Sequence, residues 1–424
     1  MSKKSASENR VVITGLGAVS PFGRGVGLFF DGLRAGRSGL RRVSLFEDLE
    51  IASQVAGEVP DYDPALDMEA LDLKRVPRVV PMAIAASREA VAEAGIDLNA
   101  MDPNQSREIG IVIGTGGGGI EFAERRYEEF FAQGNRRVSP YSVSSSFVGM
   151  LSSEISIALG LRGPSHVLST GCTSSTDAMG YAYRMIRSGY SDILLSGGAE
   201  ACITRGLMAG FSLMKVVSAR YNDRPEISSR PFDRERDGFV LGEGAWMFVM
   251  ESLSRARARG AKILAEVTGY GSTCEAFHRV AAKPDGIEPA RAMKLALDEA
   301  GISPDACGLV NLHGTATKMN DAVETKAVKL LFNKRALQIP TTALKSMIGH
   351  PQGACGAAGV MSGIFSIREQ FIPPTINYEN PDPECDLNIT PNKGVARDVE
   401  HVLCNTIAFG SKNSALLLSR VNQV

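Results

Sequence analysis

The hydrophobic and polar positions of this chain follow two patterns, one typical of buried strands and one typical of helices, which alternate along the sequence. Short apolar runs that end on glycine predict buried strands at residues 10–14 and 109–113. Between them, apolar residues recurring every three or four positions predict a helix at residues 79–94. The second half repeats this order, with a helix at residues 289–300 and a strand at 308–312. Strands that alternate with helices of this length are typical of α/β proteins.

Two internal correspondences indicate that the chain contains a duplicated unit. The tetrapeptide Glu-Ala-Gly-Ile ends both of the helices described above. In addition, residues 166–188 and 341–368 share the order of strand, corner and helix. Repeated element orders of this kind indicate a repeated structural unit. We therefore predict an N-terminal half at residues 10–255 and a C-terminal half at residues 256–424.

Composition narrows the class of protein. At 424 residues with 44% hydrophobic content, the chain can bury a large core. A net charge of −1 offers no global attraction to nucleic acid or to an acidic membrane, and no apolar run of about 18 residues predicts a membrane span. The seven cysteines lack CxxC spacing, which argues against a disulfide framework and a zinc site. The segment before residue 10 is short and polar, unlike a signal peptide, so we expect a cytoplasmic protein.

Cys172 lies at a corner between a predicted strand, residues 166–170, and a predicted helix, residues 173–188. The corner places the thiol near free backbone N–H groups and the positive end of the helix dipole. Such a setting lowers a thiol pKa from about 8.5 towards neutrality and favours the nucleophilic thiolate. A buried structural cysteine is the alternative, and the corner alone does not decide between the two.

Two histidines lie at corners that match the Cys172 corner. The five histidines of the chain are His166, His278, His313, His350 and His401. In a duplicated fold, equivalent strand ends meet at the pseudo-twofold axis, so Cys172, His313 and His350 are expected to converge. For His166 and His401 we favour a structural, hydrogen-bonded role.

Two neutral imidazoles aimed at one point can donate two N–H bonds to a developing enolate oxygen. A cysteine beside them can carry an acyl group as a thioester. Lys345, at a predicted strand end, and Glu324 could form a charge pair that fixes the imidazoles, or a surface pair of little consequence. A Cys-dependent hydrolase or acyltransferase and a non-catalytic subunit are the competing hypotheses; both account less well for the trio.

Phe409 is flanked by small residues in segment 405–411, which we place between two late strands. The segment predicts a mobile aromatic side chain beside a pocket, or else an ordinary core phenylalanine.

Seven motifs together resemble a known family. They are Gly-Pro-Ser at 163–165, Thr-Gly-Cys-Thr-Ser at 170–174, Arg-Pro-Phe-Asp at 230–233, Arg-Asp-Gly-Phe-Val at 236–240, His-Gly-Thr at 313–315, Lys-Ser-Met-Ile-Gly-His at 345–350 and Pro-Pro-Thr-Ile-Asn at 373–377. With them the chain resembles the β-ketoacyl-acyl carrier protein synthases, the elongating condensing enzymes of fatty acid and polyketide synthesis. The resemblance implies a thiolase-type α/β fold: two similar halves, each with a mixed β-sheet, layered α-β-α-β-α.

The resemblance also implies roles for individual residues. Cys172 matches the nucleophile, and His313 and His350 match the pair that drives decarboxylation and stabilises the enolate. Lys345 matches a lysine that is paired with a carboxylate, here Glu324.

Further implied positions surround the pocket. Thr315 and Thr317 match residues that hold the phosphopantetheine arm. Phe409 matches a gating phenylalanine, and its N–H matches an oxyanion hole together with that of Cys172.

The implied reaction loads an acyl chain onto Cys172, decarboxylates a malonyl-carrier thioester and joins the two. It implies no cofactor beyond substrates linked through phosphopantetheine to acyl carrier protein. Carrier proteins are acidic, so a basic rim is expected around the entrance. Binding of the carrier protein to this rim should weaken as salt increases. The candidates are Lys74, Arg75, Arg78, Arg136, Arg137 and Lys215.

The branch of the family is suggested by segments 169–174, 313–321 and 377–387, which look most like the catalytic ketosynthase subunit of type II polyketide systems. That subunit usually pairs with a chain-length partner. Housekeeping fatty-acid elongation is the alternative, so the resemblance implies a heterodimer or a homodimer.

One segment departs from both branches. Residues 408–413 read Ala-Phe-Gly-Ser-Lys-Asn where elongation enzymes usually read Gly-Phe-Gly-Gly-Thr-Asn. Each added Cβ narrows the backbone range, so gate motion is expected to differ. Loop 275–279 is also atypical, which leaves acyl-chain preference open.

Overall fold

The computed structural model describes residues 9–47, 50–132 and 138–421. The strands are β1 (Val11–Ser20), β2 (Gly23–Arg24), β3 (Arg41–Arg42), β4 (Val55–Gly57), β5 (Ile109–Gly114), β6 (Ser165–Leu168), β7 (Ile193–Glu200), β8 (Leu241–Gly242), β9 (Gly244–Ser252), β10 (Ala265–Cys274), β11 (Leu309–Asn311), β12 (Thr341–Thr342), β13 (Phe371–Ile372), β14 (Val395–Ala396), β15 (His401–Ala408) and β16 (Lys412–Ser419).

Helices of very different length alternate with these strands. They are α1 (Val26–Ala35), α2 (Ala70–Leu73), α3 (Val79–Glu93), α4 (Pro103–Glu108), α5 (Ile120–Ala132), α6 (Met150–Leu159), α7 (Ser174–Arg187), α8 (Arg205–Leu213), α9 (Leu253–Ala258), α10 (Ile287–Ala300), α11 (Lys318–Phe332), α12 (Lys345–Ile348) and α13 (Cys355–Glu369). Within the described ranges, no helix is both long and apolar enough to cross a membrane.

The main sheet shows the duplication directly. The first half has the strand order β6-β5-β7-β9-β1, and the second half has β12-β11-β15-β16-β10. In both, the spatial order is third, second, fourth, fifth and first strand of that half. The directions also match, since the first three strands of each order are parallel and the last two pairings are antiparallel. The predicted mixed sheets in two similar halves are confirmed.

The two half-sheets are joined into one continuous sheet. β1 and β10 pair antiparallel over three residue pairs, Val11↔Val267, Val12↔Glu266 and Ile13↔Ala265. α9 connects the last strand of the first half to β10. We propose that the boundary at residues 255 and 256 falls within this connecting helix.

Three apolar clusters account for the five layers. The central cluster holds α7 and α13, which pack on each other between the two half-sheets. α3 covers the outer face of the first half, and α10 covers the outer face of the second. Neighbouring residues alternate accordingly: Leu194 faces the central cluster and Leu195 the outer one. This alternation buries both faces of each half-sheet and gives the α-β-α-β-α order.

The shared tetrapeptide makes equivalent contacts in both halves. Its glycine ends α3 and α10 in the left-handed region, with φ of 69° and 67°, where a residue without Cβ is favoured. The Glu93 carboxylate accepts a hydrogen bond from the Leu16 N–H at 2.7 Å, and Glu299 accepts one from the Tyr270 N–H at 3.0 Å. The motif therefore fastens each outer helix to the first strand of its half.

Two local predictions are wrong. The predicted strand at residues 341–344 is only two residues long, and Lys345 begins α12 instead of ending a strand. Residues 405–408 belong to β15, so only Phe409–Ser411 lie in the turn before β16.

Candidate active site

Cys172 sits in a 3₁₀ turn between β6 and α7. Gly171 has φ of 75°, a conformation that glycine adopts without strain, and this allows the chain to turn sharply from strand to helix. The side chain is buried, and its Sγ lies 3.1 Å from Nε2 of His350.

The two predicted histidines approach the cysteine from the second half. His313 follows β11, and His350 follows α12 after a glycine with φ of 71°. The rings of His313 and His350 cross at 87° with centroids 5.3 Å apart. One ring nitrogen from each and the Cys172 sulfur all lie within 4.8 Å of one another. The structure thus brings the three residues together, as the duplicated order predicts.

Glu324 and Lys345 hold His313 in different ways. The Glu324 carboxylate accepts the backbone N–H groups of His313 (2.6 Å) and Gly314 (2.8 Å), and the Nδ2 amide of Asn405 (2.6 Å). The Lys345 ammonium donates to the His313 carbonyl at 2.5 Å and lies 3.2 Å from His313 Nδ1. Within the described residues, no ion pair joins Lys345 to Glu324. The predicted charge pair is therefore replaced by two separate supports of one histidine.

The ammonium of Lys345 fixes the tautomer of His313. An ammonium can only donate hydrogen bonds, so Nδ1 of the neutral ring accepts and the ring proton lies on Nε2. Burial lowers the pKa of His313 well below its usual value, and the proximity of Lys345 and His350 lowers it further. Burial and Lys345 likewise lower the pKa of His350. Both rings are therefore neutral at physiological pH.

The electrostatic setting of Cys172 differs from the prediction. Burial raises the pKa of its thiol well above the usual value, with a further increase from Cys355. Lys345 and the Phe409 backbone N–H act in the opposite direction without outweighing burial. The helix N-terminus therefore does not yield a standing thiolate, because the enclosed sulfur lacks the solvation that a thiolate needs.

A cavity of about 230 Å³ opens onto the three residues. Thr315 and Thr317 lie in its wall with their hydroxyls 3.0 Å apart. Phe409 also lines the cavity and is 38% exposed, so it is not an ordinary core residue. A larger cleft of about 640 Å³ lies beside Arg75 and Glu154 and contains none of the three residues.

The two atypical segments bind each other. Ser411, in the turn after Phe409, has φ of 67°. Its Oγ accepts the backbone N–H groups of Phe277 (3.3 Å) and His278 (3.2 Å) and donates to the His278 carbonyl (2.9 Å). The added hydroxyl therefore ties the Phe409 turn to loop 275–279.

Three residues near the cysteine were not singled out from the sequence. His278 and Gln352 line the cavity, and the Cys355 thiol donates to the Cys172 carbonyl at 3.2 Å. All three lie in the second half of the chain and outside the seven motifs, so no motif could reveal them. Of the histidines assigned structural roles, His401 bonds the Ser419 hydroxyl at 2.8 Å through Nδ1.

The predicted basic rim is only partly available. Arg78 makes two hydrogen bonds, of 2.9 and 2.8 Å, to the buried carboxylate of Glu243. The structure thus pairs Arg78 with a buried carboxylate, while 25% of its side chain stays exposed. Arg75 lies 2.9 Å from Asp72 on the surface.

Two exposed lysines remain from the expected set. Lys74 follows the last residue of α2, and Lys215 immediately precedes Val216 in the cavity wall. Of the expected basic residues, Lys215 is thus the one that is adjacent in sequence to a residue lining the cavity. Arg136 and Arg137 lie outside the described residues.

Comparisons with known proteins agree with this arrangement. The sequence model of the Beta-ketoacyl synthase N-terminal domain matches residues 8–256, and that of the C-terminal domain matches residues 264–379. Proteins named 3-oxoacyl-[acyl-carrier-protein] synthase 2 from Synechocystis sp. and Coxiella burnetii are each 38% identical. The alignments cover 97% of this chain and 98% of the first relative, and 98% of this chain and 99% of the second.

Solved structures agree as well. The ishigamide ketosynthase/chain length factor superposes with a TM-score of 0.91 at 37% identity, covering 98% of this chain and 100% of that one. A type II polyketide synthase acyl-carrier protein in complex with its ketosynthase bound to the hexaketide gives 0.89 at 31% identity, with the same coverage. The chain therefore belongs to the β-ketoacyl-acyl carrier protein synthase family, as its motifs indicated.

Proposed function

We propose that this chain uses Cys172, His313 and His350 for a decarboxylative Claisen condensation in a type II polyketide system. The observation that carries the proposal is the convergence of one sulfur and two neutral imidazoles within 4.8 Å. This arrangement supplies a nucleophile and two N–H donors, the parts that an acyl-enzyme and an enolate require.

In the loading step, Cys172 exchanges its proton for an acyl group. Because burial raises the pKa of the thiol, the proton has to leave as the sulfur attacks. His350 Nε2, at 3.1 Å, is placed to take it and to pass it to the departing thiolate of the carrier arm. An acyl-S-carrier and HS–Cys172 become acyl-S–Cys172 and HS-carrier. The N–H groups of Cys172 and Phe409 hold the thioester oxygen.

In the condensation step, a malonyl-S-carrier loses carbon dioxide and leaves an enolate. The Nε2–H of His313 donates to the enolate oxygen. His350 donates in the tautomer that carries its proton on Nε2, which the ring can adopt because its Nδ1 has no partner among the described residues. The enolate carbon attacks the acyl carbonyl, the bond to Cys172 breaks, and the sulfur takes up one proton from water. The products are 3-oxoacyl-S-carrier, carbon dioxide and HS–Cys172.

No metal or redox cofactor takes part in these steps, because loss of carbon dioxide drives the bond formation. Cysteine and neutral histidine are also zinc ligands, and the cluster has suitable spacing. Bound zinc would occupy the sulfur lone pairs and block loading.

The second substrate arrives on acyl carrier protein. We propose that Lys215 and Lys74 contribute to its docking and that Thr315 and Thr317 hold the phosphopantetheine arm. Both threonines line the cavity. An acidic carrier bound at a lysine-bearing rim binds less tightly as salt increases, so the KM for carrier substrates is expected to increase with salt.

The polyketide branch is favoured by the motif segments and by structural likeness to a ketosynthase/chain length factor pair. The cavity of about 230 Å³ is also smaller than the ~300–1,000 Å³ of typical ligand sites. A long chain therefore needs more space than this closed cavity offers. Fatty-acid elongation by a homodimer is the alternative, supported by the curated relatives. Native mass spectrometry of the purified protein, alone and with a coexpressed chain-length subunit, distinguishes the two.

The test of the function is Cys172→Ala. We expect this variant to fold, to accept no acyl group from acyl carrier protein and to extend no chain. Intact mass of the enzyme and of the carrier reports both steps. Chain extension by the purified variant would contradict the proposal.

A further inference from the structure

The side chain of Gln352 is aimed at the cysteine, yet the two steps above do not use it. Gln352 opens the 3₁₀ turn Gln352–Ala354, two residues after His350. Its carboxamide oxygen Oε1 lies 3.9 Å from Cys172 Sγ. Its Nε2 is buried and has no hydrogen-bond partner among the described residues. Since buried polar groups are nearly always paired, this amide N–H is available for a bound molecule.

The backbone at this position is held in an unfavourable conformation. Gln352 has φ of 36°, in the left-handed region that residues with a Cβ rarely adopt. Such strain persists where the surrounding structure imposes it, commonly beside a functional site. Here it places a long polar side chain in the cavity wall, where glycine would relieve the backbone but contribute no amide.

The cavity wall combines polar side chains, among them His278, Asn320 and the two threonines, with an apolar lining along which an acyl chain can lie. Its apolar wall includes Val216, Phe239, Val280, Met319, Ile407 and Phe409. A saturated acyl chain in this cavity leaves the Gln352 N–H unpaired, and an unpaired buried donor is costly. A chain with an oxygen at the right carbon removes that cost. A site built on a polar donor rejects the analogue that lacks the acceptor.

The position of the Gln352 amide determines which carbon of the acyl chain carries the oxygen that it can bind. The thioester oxygen at C1 is already assigned to the backbone N–H groups of Cys172 and Phe409. The carboxamide, whose oxygen lies 3.9 Å from the sulfur, faces only the first few carbons of the acyl group. We propose that Gln352 donates a hydrogen bond to an oxygen at C3 of the acyl group on Cys172, and so selects 3-oxoacyl chains over saturated ones. This inference rests on the proposed function.

The selection defines what supplies the acyl substrate. Each condensation makes a 3-oxoacyl thioester, so a chain that returns unreduced carries the oxygen that Gln352 binds. The reaction that precedes loading is then another condensation of the same kind. A reduction to the saturated chain would remove the selected group.

The test compares acetoacetyl- and butyryl-pantetheine, two four-carbon thioesters that differ at C3. Acylation of Cys172 is followed by intact mass in the wild type, in Gln352→Met and in Gln352→Gly. The methionine keeps the length of the side chain without the amide, and the glycine accepts the positive φ and so protects folding. We expect the wild type to load acetoacetyl about five-fold more efficiently in kcat/KM, and both variants to lose that preference. Butyryl loading should be unchanged or faster.

The outcomes separate this inference from the function on which it rests. Acylation of wild-type Cys172 by neither thioester would overturn the proposed function together with this inference. Loading of both with no preference in the wild type, or a preference retained in both variants, would overturn only the role of Gln352.

Discussion

Lys345 and Glu324 support the same histidine from two sides without contacting each other. The Lys345 ammonium lies 3.2 Å from His313 Nδ1, and the Glu324 carboxylate accepts the His313 backbone N–H at 2.6 Å. One residue orients the ring and the other holds the backbone. Their substitutions therefore have different consequences.

Replacing Lys345 by methionine should affect decarboxylation more than loading. Without the ammonium, His313 loses the partner that keeps its proton on Nε2. Loss of one donor to an oxyanion typically costs about 10²–10³ in kcat, and we expect a ten- to hundred-fold loss because the ring itself remains. Carbon dioxide release from malonyl-carrier and acylation of Cys172 are measured separately. An equal loss in both steps, or a change in KM alone, would indicate a merely structural role for Lys345.

Glu324 should make stability depend on pH. Burial raises its pKa to about 7, from 4.5 for an ordinary glutamate. The folded form holds its proton to higher pH than the unfolded chain, so this contribution to stability is full below pH 4.5 and is lost as pH rises through 7. A shift of this size corresponds to at most about 3 kcal/mol.

Urea unfolding at pH 5 and pH 8 measures this dependence. In Glu324→Gln the pH dependence should become smaller, while the variant is less stable at both values because the amide N–H₂ faces backbone N–H donors. Glu369→Gln on the exposed end of α13 is the control and should keep the wild-type dependence. An undiminished pH dependence in Glu324→Gln would assign the effect to other groups.

The raised pKa of Cys172 predicts slow alkylation at neutral pH. Because burial disfavours the thiolate, iodoacetamide should modify the exposed Cys274 before Cys172 at pH 7. The rate at Cys172 should continue to increase above pH 9. Peptide mass mapping over a pH series measures both rates in one sample. Rapid modification of Cys172 that is independent of pH would show a standing thiolate instead.

Ser411 should restrain the Phe409 turn. Ser411→Ala removes the hydroxyl but keeps the Cβ, whereas Ser411→Gly also widens the accessible backbone range of the turn. Each lost hydrogen bond contributes about 1 kcal/mol, so we expect both variants to open more often, with the glycine variant opening more.

Hydrolysis of acyl-Cys172 reports this opening, because water reaches the thioester when the turn moves. We expect at least about a five-fold increase in both variants. Unchanged hydrolysis in Ser411→Ala, together with an increase in Ser411→Gly, would attribute the restraint to the narrow backbone range of a residue with a Cβ and not to the hydroxyl.

Metal removal should leave condensation unchanged, because no step needs an ion. Dialysis against a chelator tests this, with zinc content and condensation rate measured before and after. Added Zn²⁺ should inhibit by binding Cys172 with His313 and His350. Activity that disappears on chelation and returns with metal would contradict the mechanism.

The sequence predicts the elements that are local and repeated, but not those that depend on tertiary packing. The helix ends at Gly95 and Gly301 follow from a motif read along the chain, and the order of the strands follows from their repetition. The enclosure of Cys172 depends on α13 and the Phe409 turn, which come from distant sequence. Its raised pKa was therefore not predicted from the corner alone.

The same distinction applies to paired residues. Lys345 and Glu324 are both near His313, but residue types give no information about whether two opposite charges meet. Here the carboxylate is saturated by N–H groups and the ammonium by a carbonyl and a ring nitrogen. Likewise, the orientation of the Gln352 side chain depends on the positive φ of that residue, which the neighbouring sequence does not predict.

The three residue pairs that join β1 to β10 bear on how this protein could be divided. The nucleophile belongs to one side of that seam and both imidazoles to the other, so a fragment cut at α9 would be chemically inert. Each fragment would also expose the strand edge that these three pairs cover, and unpaired strand edges are prone to aggregation. Two separately expressed fragments would then restore turnover only when they associate through β1 and β10. A split at this seam could therefore serve as a reporter of assembly.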